Sequence, residues 1–125
     1  MYREVTEKDD VAAQRIQAAR DWIDVQQVNP ELDRRMYRAK LHEGEVEVML
    51  RAQQVCADVV TIDDGAARKT AAYLGLPLTG TLGILIAAKQ RGLLDAVMPV
   101  VQQMAQNGMF FSSELKAAIR KLSDE

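Results

Sequence analysis

The chain has 125 residues, enough for one compact domain with a real core. Hydrophobic residues make up 48% and charged residues 27%, an ordinary balance for a soluble globular protein, and no apolar run approaches the roughly 20 residues a membrane helix needs. A net charge of −2 and a pI near 5.5 argue against a protein that coats nucleic acid through a broad basic surface, though not against an enzyme that cuts it at an acidic, cation-bearing centre.

In chain order, the polar, acidic start MYREVTEKDD lacks a signal-peptide core, so the expected location is the cytoplasm. The spacing of Val5, Ala12, Ile16 and Ala19 predicts a helix over 2–20. The alternation from Trp22 to Val28 allows a strand. Asn29-Pro30 then supplies an N-cap and a first-turn proline for a helix to about Ala39. Arg34, Arg35, Arg38 and Lys40 gather there, and read as a solvated helix face. Another helix is expected over roughly 44–56. Val59-Val60-Thr61-Ile62 suits a buried strand, and a helix over 64–74 ends at Gly75. The proline in Leu76–Thr79 marks an edge strand or a strand start. The helix from Thr81 to Arg91 is apolar nearly all round, which predicts burial. A helix over 96–107 stops at Gly108. The last runs from Ser113, capped by Ser112, with Leu115, Ala118, Ile119 and Leu122 facing inward. This alternation predicts an α/β fold with parallel strands, whose sites lie at the carboxyl ends of the strands.

That rule selects Asp63-Asp64 and Thr79-Gly80-Thr81. Asp63 and Asp64 can each be an ordinary helix N-cap or a metal ligand; two adjacent acids can divide the roles, Asp63 on the metal and Asp64 on the helix. Glu45 shares a helical stripe with Met49, Ala52 and Cys56. It is either a carboxylate drawn inward by a partner or metal, or a first-turn acid complementing the helix dipole. Thr79 and Thr81 flank a glycine at a helix start, where free amides can hold a phosphate, and capping explains Thr81 equally well. Arg68, one turn beyond Asp64, can meet a phosphate or pair with that aspartate. Cys56 and His42 are the sole residues of their kinds and make no zinc set. No nucleophile–base arrangement emerges, and Gly80-Thr81-Leu82-Gly83 lacks the end of a P-loop.

Gly44-Glu45, Val60-Thr61-Ile62-Asp63-Asp64, Arg68, Leu78-Thr79-Gly80-Thr81-Leu82-Gly83, Ala88-Lys89, Arg91-Gly92-Leu93 and Met109-Phe110-Phe111-Ser112-Ser113 together resemble a branch of bacterial and archaeal PIN-domain proteins, over about residues 1–122. The resemblance implies a helix-rich α/β domain over 1–125 with a short, mainly parallel sheet. The first two strands of the family, and the aspartate ending the first, would precede Met1. It further implies a Mg²⁺- or Mn²⁺-dependent ribonuclease, of the kind found as VapC toxins paired with an antitoxin. By motif, Glu4 matches the family's early glutamate, Glu45 and Asp63 its later acids, and Asp64 an auxiliary ligand. With one ligand missing, weak metal binding and little RNA cleavage are expected; the rival expectation is a degenerate module that only binds a partner. Further expectations are that Glu45 and Asp63 share one surface, and that uncovered strand edges and the apolar helix at Leu82–Ala88 drive homo-oligomer formation.

Overall fold

A computed structural model describes residues 1–28 and 41–125. These residues form seven helices and two short strands: α1 (Tyr2–Thr6), α2 (Val11–Ala18), α3 (Glu43–Val55), β1 (Val60–Thr61), α4 (Gly65–Tyr73), β2 (Leu78–Thr79), α5 (Thr81–Gln90), α6 (Met98–Gln106) and α7 (Ser113–Ser123). The helix expected from Asn29 and the basic cluster Arg34, Arg35, Arg38 and Lys40 lie outside the described residues. β1 and β2 pair in a two-stranded sheet. The Val60 amide donates to the Pro77 carbonyl at 2.7 Å, and the Ile62 amide to that of Thr79 at 2.9 Å. Two residues along one strand match two along the other in the same direction, so the strands are parallel and α4 is the crossover a parallel pair requires.

The N-terminal region departs from its expected single helix. Asp10 adopts an extended backbone and its side chain accepts the Ala13 amide at 2.9 Å. A short carboxylate is worth more as an N-cap than inside a helix, so Asp10 ends the first segment's reach and starts α2. Ala13 is consequently the buried residue of α2, in place of the expected Ala12. The strand expected over Trp22–Val28 is not formed. Asp21-Trp22 is a turn and 23–28 irregular, with Trp22 76% exposed. Alternation alone does not make a strand; among the described residues that segment has no ladder partner.

Two compact units divide the described chain, one of Met1–Val60 with Asp64–Pro77, the other of Thr61–Asp63 with Leu78–Glu125. In the first, α3 buries Gly44, Val46, Met49, Leu50 and Ala52, and α4 buries Ala67 and Ala71. Cys56, expected on the inner stripe of α3, is exposed: it is the C-cap, with a left-handed backbone at φ 51°.

The core of the second unit is Val97, Met98, Val101, Phe111 and Ile119, with Leu82, Leu85, Ile86, Leu94, Met104 and Ala105 packed around it. α5 was expected to be buried on all sides, yet none of its residues is fully buried and Ile84 is exposed. Apolar composition states what a helix tolerates; the packing of α5 against α7 decides what it covers. On α7 itself, Ile119 alone of the expected inner residues is buried, while Leu115 and Leu122 stay exposed.

Glu125 ties three helix ends of this unit together. Its carboxylate accepts the Val97 amide at 3.0 Å and the Met98 amide at 3.1 Å, both at the start of α6. It also meets Lys89 Nζ of α5 at 3.2 Å, and that ammonium donates to the Ser123 carbonyl at the end of α7. The Val97 amide is the largest cause holding the Glu125 pKa at about 2, below its ordinary 4.5, with Ser123, Met98 and Lys89 adding to it against the opposing effect of burial. A depressed carboxylate pKa contributes stability above the unfolded-state value, and that contribution is lost as pH falls through the folded-state value. Glu125→Ala is therefore expected to lower the melting temperature at neutral pH, and Glu125→Gln to lower it less. The gap between wild type and Glu125→Ala should close as pH falls from about 4.5 toward 2. Thermal melts by circular dichroism across that range test this; a gap unchanged with pH would show that the carboxylate's charge contributes nothing.

Candidate active site

The acids singled out from the sequence fall at helix starts, and the reasons are local. In the first unit, Glu4 is exposed on α1, and its carboxylate lies against the start of α3. A Cβ on Gly44 would come within 3.4 Å of Glu4 Oε1 and 3.9 Å of Oε2. The glycine thus leaves the space this side chain occupies. Glu45, the next residue, is half-buried, and its Oε2 accepts the His42 amide at 3.2 Å. That is the reach of a third-position glutamate back to the N-cap residue, which satisfies one of the helix's orphan donors. The structure therefore brings Glu4 and the Glu45 segment to one helix end, and Glu45 performs there the first-turn role that its position allows.

Asp64 is the N-cap of α4 and accepts the Ala67 amide at 2.9 Å. Arg68 is half-buried on the same helix, its amide bonded to the Asp64 carbonyl at 2.8 Å.

In the second unit, Asp63 is exposed at the carboxyl end of β1. Its Oδ1 accepts the Thr81 amide at 2.8 Å, and its Oδ2 accepts the Thr81 hydroxyl. The amide that the sequence offers to a phosphate is thus already donated to Asp63. Thr79, at the end of β2, sets its hydroxyl against α5: a Cβ on Gly83 would lie 2.5 Å from Thr79 Oγ1. Sequence reasoning missed both the Asp63–Thr81 link and the close approach at Gly83. A signal for the first was present, because the strand-end rule puts both residues at the carboxyl ends of neighbouring strands.

The donor set is all oxygen, from carboxylates and hydroxyls, which matches a hard cation such as Mg²⁺ or Mn²⁺ in kind. A carboxylate that accepts one hydrogen bond on an oxygen keeps acceptor capacity there, so capping does not use up Glu45, Asp63 or Asp64. Among the described residues, no three His, Cys, Asp or Glu side chains gather into a metal-holding group.

The sequence profile of the PIN domain matches residues 1–125. The chain belongs to the PIN-domain family. No curated protein and no solved structure matches it. The helix-rich α/β architecture with its short parallel sheet is that of a PIN-like fold. PIN domains generally use divalent metals and are a nuclease fold. Among the described residues of this PIN domain, no helix is long and apolar enough to cross a membrane.

Proposed function

We propose that this PIN domain is a weakly active Mg²⁺- or Mn²⁺-dependent endoribonuclease and the toxin of a toxin–antitoxin pair. Its partners would be RNA as substrate, an antitoxin protein and further copies of itself, in the cytoplasm. Glu4, Glu45 and Asp63 are the carboxylates assigned to the centre, with Asp64 auxiliary. The observation that carries this reading is the placement of the Glu4 carboxylate against Gly44, directly beside Glu45. Two acids from separate helices thus meet at one helix end, Glu45 as its capping glutamate and Glu4 against Gly44.

A bound cation would supply charge neutralisation of the phosphate and an acidified water. The chain's own residues do the rest. Glu4 and Glu45 in the first unit, and Asp63 in the second, are the carboxylates with the chemistry to bind a cation, and the α3 start and the Thr81 pair fix the direction of two of them. Arg68 and the hydroxyl of Thr79 are the candidates for contact with substrate phosphate.

A second reading, a non-catalytic module that binds a protein partner, is favoured by the helix-end roles of Glu45, Asp63 and Asp64, each of which accepts a backbone amide. Single-turnover cleavage of a structured RNA in Mn²⁺ separates the two. Glu45→Gln and Asp63→Asn should each reduce the rate roughly tenfold or more, as loss of metal-holding groups does. A wild-type chain that leaves RNA intact, or variants that cleave like wild type, would decide for the binding module.

A further inference from the structure

We propose that the outer stripe of α7 is the surface through which two copies of this chain pair, their helices running antiparallel about a twofold axis at Ala118. The inference rests on the self-association proposed above, gives it a place, and is independent of the nuclease centre.

α7 has two apolar faces, and its own fold uses one. Ile119 and Ser123 turn inward and are buried. Leu115, Ala118 and Leu122 recur at intervals of three and four residues, which puts them on a second stripe of the same helix. All three are exposed, Leu115 at 40% and Leu122 at 65%. A single exposed leucine is ordinary. Two of them with an alanine between, at the spacing of a helix–helix seam, make a strip that a second helix can lie along.

The charges beside the strip select its occupant. Glu114 and Lys121 each precede a leucine by one residue, so both lie on one flank, at opposite ends of the helix. They are two turns apart, about 10 Å along the axis, too far to pair with each other. Neither makes an ion pair among the described residues. In an antiparallel pair centred on Ala118, Leu115 lies over Leu122 of the partner subunit, and Glu114 lies beside Lys121 of the partner subunit. The twofold axis repeats both contacts, so one patch is complementary to itself. A parallel pair would set each residue level with its own copy, bringing like charges together at both ends. α5, the other apolar helix of this unit, offers no such pattern. Its one charged residue is Lys89, which Glu125 already engages.

The helix has eleven residues, about 16 Å of length, so the dimer should be weak, with a roughly micromolar Kd. Sedimentation velocity across the micromolar range measures it, and circular dichroism checks that each variant is folded. Leu122→Glu changes an exposed side chain and should weaken pairing about a hundredfold or more, since two copies of the leucine are lost from the seam. Glu114→Lys and Lys121→Glu should each weaken pairing roughly three- to tenfold at low salt. The double variant should return to within about threefold of wild type. A merely structural role would not give that recovery, because both changes oppose the dipole of α7 and add their costs to the monomer. A wild type that stays monomeric throughout overturns the proposal together with the self-association. A dimer that Leu122→Glu leaves intact overturns the α7 surface, while the self-association stands. A dimer that Leu122→Glu disrupts but the double variant fails to restore overturns the antiparallel arrangement. None of these outcomes depends on whether the chain cleaves RNA.

Discussion

Truncation of Phe111 to alanine is expected to destabilise the protein by about 3–5 kcal/mol, while the same change at Phe110 should stay within about 0.5 kcal/mol of wild type. The two rings are neighbours in sequence and chemically identical. Phe111 is 8% exposed and sits in the cluster with Val97, Met98, Val101 and Ile119. Phe110 is 90% exposed. Removing the buried ring loses its transfer free energy and leaves a cavity that the surrounding side chains fill only in part. Removing the exposed one takes away surface that is in water in both the folded and unfolded states. The segment leading from Gly108 at φ 100° to the Ser112 cap of α7 fixes which ring turns inward. The Ser112 side chain accepts the Leu115 amide at 3.1 Å, and this sets the start of α7. Urea unfolding followed by circular dichroism measures both variants. Comparable losses at the two positions would mean that the inner and outer faces of this segment are assigned wrongly.

That pair of rings also marks how much the sequence discloses. Element types from α3 onward were legible because strong local signals agree there. Asp64 and Ser112 cap their helices, and Gly75, Gly92 and Gly108 take positive φ at helix ends. The β-branched run at Val59–Ile62 forms a strand only over Val60–Thr61, with Val60 and Ile62 buried and Val59 and Thr61 exposed. The N-terminal region was not legible, because one capping bond from Asp10 outweighs a weak apolar stripe, and because a strand needs a partner that alternation cannot name. Burial was read less well than type. The composition of α5 promised burial on every side, and the realised contacts leave Ile84 in water. For the site, Asp63 and Asp64 were marked by the strand-end rule, and Asp64 takes the helix cap that was expected of it. What a single sequence withholds is the pairing of groups far apart in the chain: the Asp63–Thr81 bond, the seat of Glu4 beside Gly44, and the closeness of Thr79 to Gly83. Each depends on the mutual placement of two elements, and no local propensity encodes it.

The last of these contacts yields the second large effect. Gly83 is an exposed helical residue, so propensity alone predicts that Gly83→Ala should stabilise by about 0.5–1 kcal/mol. The added Cβ, however, would lie 2.5 Å from Thr79 Oγ1 and 3.8 Å from Thr79 Cβ. The first distance is well inside van der Waals contact. Thr79 has no easy escape, because rotation about its first side-chain torsion exchanges the hydroxyl for a methyl or leaves a staggered well. Thr79 is also held at β2, where its carbonyl accepts the Ile62 amide at 2.9 Å, so backbone retreat would strain the parallel pair. The clash outweighs the propensity gain, and Gly83→Ala is expected to lose about 1–3 kcal/mol net. A double-mutant cycle isolates the cause. With Thr79→Ala in place the obstructing oxygen is gone, and adding Gly83→Ala should then be neutral or stabilising by the helix-propensity term of about 0.5–1 kcal/mol. The coupling between the two positions should therefore be favourable and larger than about 1 kcal/mol. Urea denaturation of the two single variants, the double variant and wild type gives all four corners. A Gly83→Ala protein as stable as wild type would show that Thr79 moves aside without cost and that this glycine is free to vary.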